Sequence, residues 1–218
     1  MSSKTKGRIL DASLQLFNEQ GERNVTTNHI AAHLDISPGN LYYHYKNKQA
    51  IIAALFERYR ERVESILTVP TDRALQPMDK LTYLQAVFQG LWDYRFLHRN
   101  MEPILLADPD MHAKYQDFYR SCLRQVERIF RGLAEAGILI LSEDDISALA
   151  LNTWIVVTSW FSYLRCNLLS SEDDHISLEL LQGGIYQVFT LERPYLTPDY
   201  KDVMDQLQKQ FMPKPSWL

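Results

Sequence analysis

Ser37-Pro-Gly-Asn-Leu-Tyr-Tyr-His-Tyr-Lys-Asn-Lys48 is the stretch on which the fold turns. Ser37 offers a hydroxyl N-cap, and Pro38 suits the first helical position, where a missing N–H is harmless and φ is already helical. A helix begun there turns Leu41 and Tyr45, four residues apart, toward a core. Tyr42, Tyr43 and His44 cannot all follow them, because three consecutive side chains on a helix point in three directions. A core segment would hide its rings and avoid lysine, whereas this one is built to present them.

Upstream, residues 4–20 place Leu10, Leu14 and Phe17 on one stripe, and Gly21 follows where a left-handed cap is wanted. Thr26 and Thr27 offer caps for a second short helix that buries Ile30, Ala31 and Leu34 and stops near Asp35. Downstream, Asn47 caps a fourth helix with Ile51, Leu55, Tyr59, Val63 and Ile66 inward, roughly 30 Å long at the usual rise. Two short helices joined by Asp35-Ile36-Ser37 have helix-turn-helix geometry, and the second can enter a major groove about 12 Å wide. Unpaired N–H groups at both helix starts, with the hydroxyls of Thr26, Thr27 and Ser37, suit phosphates. Gly39 holds nothing away from DNA, Asn40 can bond an adenine edge through both amide atoms, and Tyr42, Tyr43 and His44 can reach phosphates or thymine methyls. Lys46 and Lys48 add charge beside them. The bland alternative is that these rings pack under a neighbouring domain.

Residues 4–64 resemble the DNA-binding domain of the tetracycline-repressor (TetR) family. The resemblance lies in Ala12-Ser-Leu-Gln-Leu-Phe17, Gly21, Val25-Thr-Thr-Asn-His-Ile-Ala31 and, above all, the Ser37–Lys48 string. It implies that Thr26, Thr27, Tyr42, Tyr43 and Lys48 match phosphate-contacting positions, and that Asn28, Ser37, Pro38, Gly39, Asn40 and His44 match positions facing bases or backbone. The family layout further implies a homodimer built through the last two long helices, about 143–169 and 174–192, and an effector pocket in the body.

Past Pro70, Thr71, Asp72 and Pro77 the periodicity remains helical, over about 78–99, 109–136, 143–169, 174–192 and 198–211. Ser142 with Asp145 and Ser171 with Asp174 have capping-box spacing, while Asn100-Met-Glu-Pro103, Gly137 and Pro194 punctuate. The expected architecture is all-α: residues 1–64 a helix-turn-helix DNA-binding domain, its linking fourth helix starting near 47, and residues 65–218 a ligand-binding and dimerisation bundle. Gly183-Gly184 inside a helix costs about 1 kcal/mol per glycine relative to alanine and so asks for a reason, either close approach of a partner helix across the dimer, or a kink or helix end. The body's many rings beside a few hydroxyls suit a small apolar or amphipathic effector, with Trp92, Phe96, Tyr119, Trp154, Thr158 and Phe161 as candidate contacts.

The totals narrow the function classes. Residues 1–62 hold nine basic residues against six acidic ones, while the whole chain of 218 residues carries −4. A basic head on an acidic body favours a polyanion partner for the head alone. Two cysteines, Cys122 and Cys166, give no disulfide framework, and no signal-like block follows the N-terminus, so a cytoplasmic protein is expected. Residues 146–164 lack charge, but serines, threonines and an asparagine interrupt them, which favours a buried helix over a membrane span. His29 and His33, four apart, have a metal-compatible spacing but no clear third ligand except Asp35, and His98, Glu102, Asp108 and His112 are no better. With no nucleotide loop, nucleophile elbow or zinc motif, no enzyme, metal or cofactor is expected. The reading is a ligand-responsive repressor that binds a pseudo-palindromic DNA operator as a homodimer. The alternatives are an activator, or a helical small-molecule-binding protein without operator-specific DNA binding.

Overall fold

The computed structural model describes residues 2–167 and 176–212. Among them the architecture is all-α, with ten α-helices: α1 (Ser2–Gln20), α2 (Thr27–His33), α3 (Pro38–His44), α4 (Lys48–Ile66), α5 (Pro77–Asp93), α6 (Arg95–Ala107), α7 (Pro109–Glu135), α8 (Glu143–Asn167), α9 (Leu178–Glu192) and α10 (Pro198–Lys209). Short 3-10 turns occupy Glu22–Asn24 and Arg193–Tyr195, and one isolated antiparallel bridge joins Leu139 to Leu196. No helix among the described residues is long and apolar enough to cross a membrane.

The chain divides into two compact units, residues 1–62 with 93–116, and residues 63–92 with 117–218. In the first, α1 buries Ile9, Leu16 and Phe17, α2 buries Ile30 and Ala31, and α3 contributes Leu41. Phe17 meets Phe96 of α6 with ring centroids 5.2 Å apart. The link from α2 to α3 is a Schellman motif. Asp35 takes the left-handed conformation at φ 53, its N–H bonding Ala32 O at 3.1 Å while the Ile36 N–H bonds Ala31 O at 3.0 Å.

The single helix expected over 78–99 is instead two. The chain leaves helical geometry at Tyr94 (φ −113, ψ 31) and again at Asn100 (φ −134, ψ 23). Asn18 of α1 satisfies the first break, accepting the Phe96 N–H at 3.1 Å and donating to Asp93 O at 2.7 Å. The second falls in the expected Asn100–Pro103 punctuation. Pro103 is tolerated inside α6 because the helix restarts at Asn100, leaving the proline in a first turn where an N–H has no partner to lose.

In the second unit α5, α8, α9 and α10 share one core that includes Phe88, Phe161, Ile185, Val188, Met204 and Leu207. Fully burying a side chain of this size stabilises by about 1.5–3 kcal/mol. The terminal helix α10 is therefore part of the core, and Gln208 ties it to α9 by donating to Thr190 Oγ1 at 2.7 Å. Gly184 is explained within the chain: a Cβ there would lie 2.6 Å from Phe88 Cζ and 2.8 Å from Trp160 Cδ1. At the head of α8, Asp145 Oδ2 accepts from the Ser142 N–H at 3.0 Å and Ser142 Oγ accepts from the Asp145 N–H at 3.2 Å, the capping box expected there. The Ser171–Asp174 pair lies outside the described residues; α9 starts at Leu178, where Ser177 Oγ accepts the Leu180 N–H at 3.2 Å.

A buried ion pair joins Lys80, in the first turn of α5, to Glu192, the last residue of α9. Their side chains are 5% and 1% exposed, so neither charge has water to fall back on. Each also opposes the dipole at its own helix end, which makes the partner its main compensation. The rings of Phe130 and Phe189 flank the ammonium at 5.4 and 5.3 Å.

Candidate nucleic-acid interface

The exposed side chains of α2 and α3 are set by local capping. Thr26 precedes α2 in extended geometry, and its Oγ1 accepts the His29 N–H at 3.3 Å while the Thr26 N–H donates to His29 Nδ1 at 3.4 Å. This is a capping box in which histidine replaces the usual Glu or Gln. His29 is thereby a helix-start residue; among the described residues no group of three or more His, Cys, Asp or Glu converges on a metal site. One residue on, Thr27 Oγ1 and Tyr42 Oη lie 3.0 Å apart, linking the start of α2 to the middle of α3.

Ser37 caps α3, its Oγ accepting the Asn40 N–H at 3.2 Å, with Pro38 at the first helical position. Leu41 is fully buried and Tyr45 is 4% exposed, so the two pin the helix to the head's core. Tyr42 at 47% and Tyr43 at 80% exposure point outward, and Tyr43 stands edge-on to His44 at 5.1 Å. Asn28, Ser37, Pro38, Gly39 and Asn40 are exposed, while Thr27 and His44 are half-buried. Of the three tyrosines in the string, two face solvent and one is core, with burial raising the Tyr45 phenol above its ordinary value. Lys6 lies 5.5 Å over the Tyr45 ring. Asn47 then caps α4, its side chain accepting the Ala50 N–H at 2.8 Å.

Lys46 is exposed, but Lys48 turns back into the head. Its ammonium is 2.8 Å from Glu22 Oε1 and donates to the carbonyls of Glu22 at 2.9 Å and Val25 at 3.1 Å. Sequence reasoning missed Glu22 and Val25 as its partners, since separations of 26 and 23 residues leave no local pattern. The result is one face carrying two helix starts, the two hydroxyl caps Thr26 and Ser37, the Thr27 hydroxyl, the amides of Asn28 and Asn40, and two outward phenols. Such a surface can donate to phosphates and present polar edges to bases.

The candidate effector residues fall in different places. Phe96 belongs to the first unit, against Phe17. Trp92, Tyr119, Trp154, Thr158 and Phe161 belong to the second. There Trp154 meets Tyr119 at 5.2 Å and Phe118 at 6.0 Å, both edge-on, Thr158 Oγ1 donates to Trp154 O at 2.8 Å, and Phe161 is core. Thr153 Oγ1, on the residue before Trp154, is buried with no hydrogen-bond partner among the described residues.

The model of bacterial regulatory proteins of the tetR family matches residues 9–55, and that of the bacterial transcriptional repressor TetR matches residues 58–204. A TetR-family transcriptional regulator from Marinobacter aquaeolei VT8 is 47% identical, covers 96% of this chain and 99% of its own, and superposes with a TM-score of 0.88. A bacterial regulatory protein in the tetR family from Rhodococcus RHA1 is 27% identical over 90% of this chain and 99% of its own, with a TM-score of 0.64. The biofilm operon icaADBC HTH-type negative transcriptional regulator IcaR of Staphylococcus aureus is 23% identical over 162 residues, 71% of this chain and 84% of the relative.

Proposed function

We propose, from the premise that this chain belongs to the TetR family of bacterial transcriptional regulators, that it is a repressor released from its operator by a small apolar or amphipathic molecule. The observation that carries the DNA-binding half is the α2–α3 face. Tyr43 at 80% exposure has no folding reason to be there, and Asn40, Pro38 and Gly39 stand beside it on a seven-residue helix anchored by Leu41. Thr26, Thr27, Ser37 and Tyr42 take phosphates in this reading, and Asn28, Asn40 and His44 face the groove. The icaADBC relative is a negative transcriptional regulator, which favours repression over activation.

The operator is pseudo-palindromic in this reading because two heads act together. A homodimer through α8 and α9 accounts for the exposed apolar stripe of α8: Leu151 at 42%, Ile155 at 49% and Tyr163 at 44%, interspersed with exposed Ala148, Ser159 and Ser162. The effector lodges in the second unit beside Trp154 and Tyr119 in this reading, the two rings supplying an apolar wall. It acts by binding one spacing of the heads better than the other, with α4 and the 100–112 segment transmitting the difference.

Retardation of DNA from upstream of the protein's own coding region tests this reading. Selective binding over a scrambled duplex is expected, weakened at least tenfold by Asn40→Ala plus Tyr43→Ala at an unchanged melting temperature. Equal binding to both duplexes would refute it.

A further inference from the structure

Lys48, the first residue of α4, has a side chain only 22% exposed. An ammonium owns three N–H donors, and three oxygens lie within reach: Glu22 Oε1 at 2.8 Å, Glu22 O at 2.9 Å and Val25 O at 3.1 Å. The carbonyl of Val25 and the N–H of Thr26 are two sides of one peptide plane. That N–H donates to His29 Nδ1 at 3.4 Å, closing the cap that starts α2. One edge of the plane is therefore held by Lys48 and the other by the cap itself. Glu22 completes the arrangement, since its carbonyl also accepts the Val25 N–H at 3.3 Å, fixing the 3-10 turn that delivers the chain to Thr26.

We infer that Glu22 and Lys48 form a positioning lock for the start of α2, and that Lys48 serves operator binding through that lock rather than as a phosphate ligand. The inference rests on the reading that the α2–α3 face binds DNA. A phosphate recruiting Lys48 would have to strip it from two carbonyls and a carboxylate, leaving Glu22, 12% exposed at its side chain, unpaired beside an incoming polyanion. The lock keeps the ammonium where it is, aiming the Thr26 and Thr27 hydroxyls and the first free N–H groups of α2.

The two roles make opposite predictions for the acid. If simple electrostatics governed, Glu22→Gln would strengthen DNA binding by removing a negative charge near phosphates. If the lock governs, the same nearly isosteric change weakens it. Operator affinity of the wild type, Glu22→Gln, Lys48→Met and the double variant is measured over a salt series, alongside each melting temperature. Each single change is expected to lower affinity roughly tenfold, the order that loss of a charge-assisted hydrogen bond produces. The double variant should fall no further than either single one, and the slope of log affinity against log salt should stay at the wild-type value.

Unchanged or higher affinity in Glu22→Gln, with a salt slope shallower by about one ion in Lys48→Met, would overturn the inference in favour of a direct phosphate contact. Lower melting temperatures with wild-type affinity of the folded protein would overturn it in favour of a purely structural pair. A wild type without operator preference would instead remove the reading beneath it.

Discussion

Asn18 reaches from α1 to accept the Phe96 N–H at 3.1 Å, so a residue of the DNA-facing head caps a helix that begins 77 residues further along the sequence. The same side chain donates to Asp93 O at 2.7 Å, and the backbone carbonyl of Asn18 accepts from Arg99 at 3.3 Å. Asn18→Ala strands the buried Phe96 amide. It should cost about 2–3 kcal/mol, read as a lower urea midpoint at unchanged slope.

The Lys80–Glu192 pair predicts a strongly non-additive cycle. Lys80→Met alone leaves a carboxylate 1% exposed without its cation and should destabilise by about 3–5 kcal/mol. Adding Glu192→Leu removes the orphaned charge, so the double variant should recover most of that loss. Burial pushes the Lys80 ammonium below its ordinary value, so its charge depends on the Glu192 carboxylate beside it. Denaturant unfolding of the four proteins measures the coupling.

Gly184→Ala tests close helix packing. The new methyl would stand 2.6 Å from Phe88 Cζ, 2.7 Å from Phe88 Cε1 and 2.8 Å from Trp160 Cδ1, and both rings sit in a packed region with little room to retreat. The helix-propensity gain of about 1 kcal/mol should be outweighed by overpacking of about 1–3 kcal/mol or more. A melting temperature at or above that of the wild type would show that Phe88 and Trp160 yield easily.

His98 sets an acid limit on the first unit. Its ring is hydrogen-bonded to Tyr59 Oη at 3.1 Å, and burial lowers its pKa from 6.5 to about 4. A base depressed in the folded state is neutral there while the unfolded chain already binds a proton. Stability is therefore intact above about pH 6.5 and declines as the pH falls toward about 4, by something on the order of 2–3 kcal/mol. His98→Gln should remove this part of the decline, which unfolding of both proteins along a pH series would reveal.

The head was legible in sequence because its signals are local. Ser37 with Pro38, Thr26 and Asn47 each cap the helix that begins beside them, and the outward turn of Tyr42 and Tyr43 follows once Leu41 and Tyr45 are buried. The break at Tyr94 was not legible, since no proline or glycine marks it and its support comes from Asn18. Periodicity likewise puts Phe96 on a buried face without saying that Phe17 is what it meets. Lys48 reads as surface charge until its acceptors are seen. The role of α10 was equally hidden, because an amphipathic terminal helix does not reveal whether its apolar side, here Met204 and Leu207, closes a core or awaits a partner.

Trp154, held edge-on by Phe118 at 6.0 Å and Tyr119 at 5.2 Å, supplies the protein with an intrinsic optical reporter. An indole emits according to the polarity and quenchers around it, and this one is bracketed by aromatic edges on a helix. A molecule entering beside it would change its emission without any attached dye. Titration of candidate compounds can thus be followed by light from the protein alone, and Trp154→Phe would separate this signal from that of the other indoles.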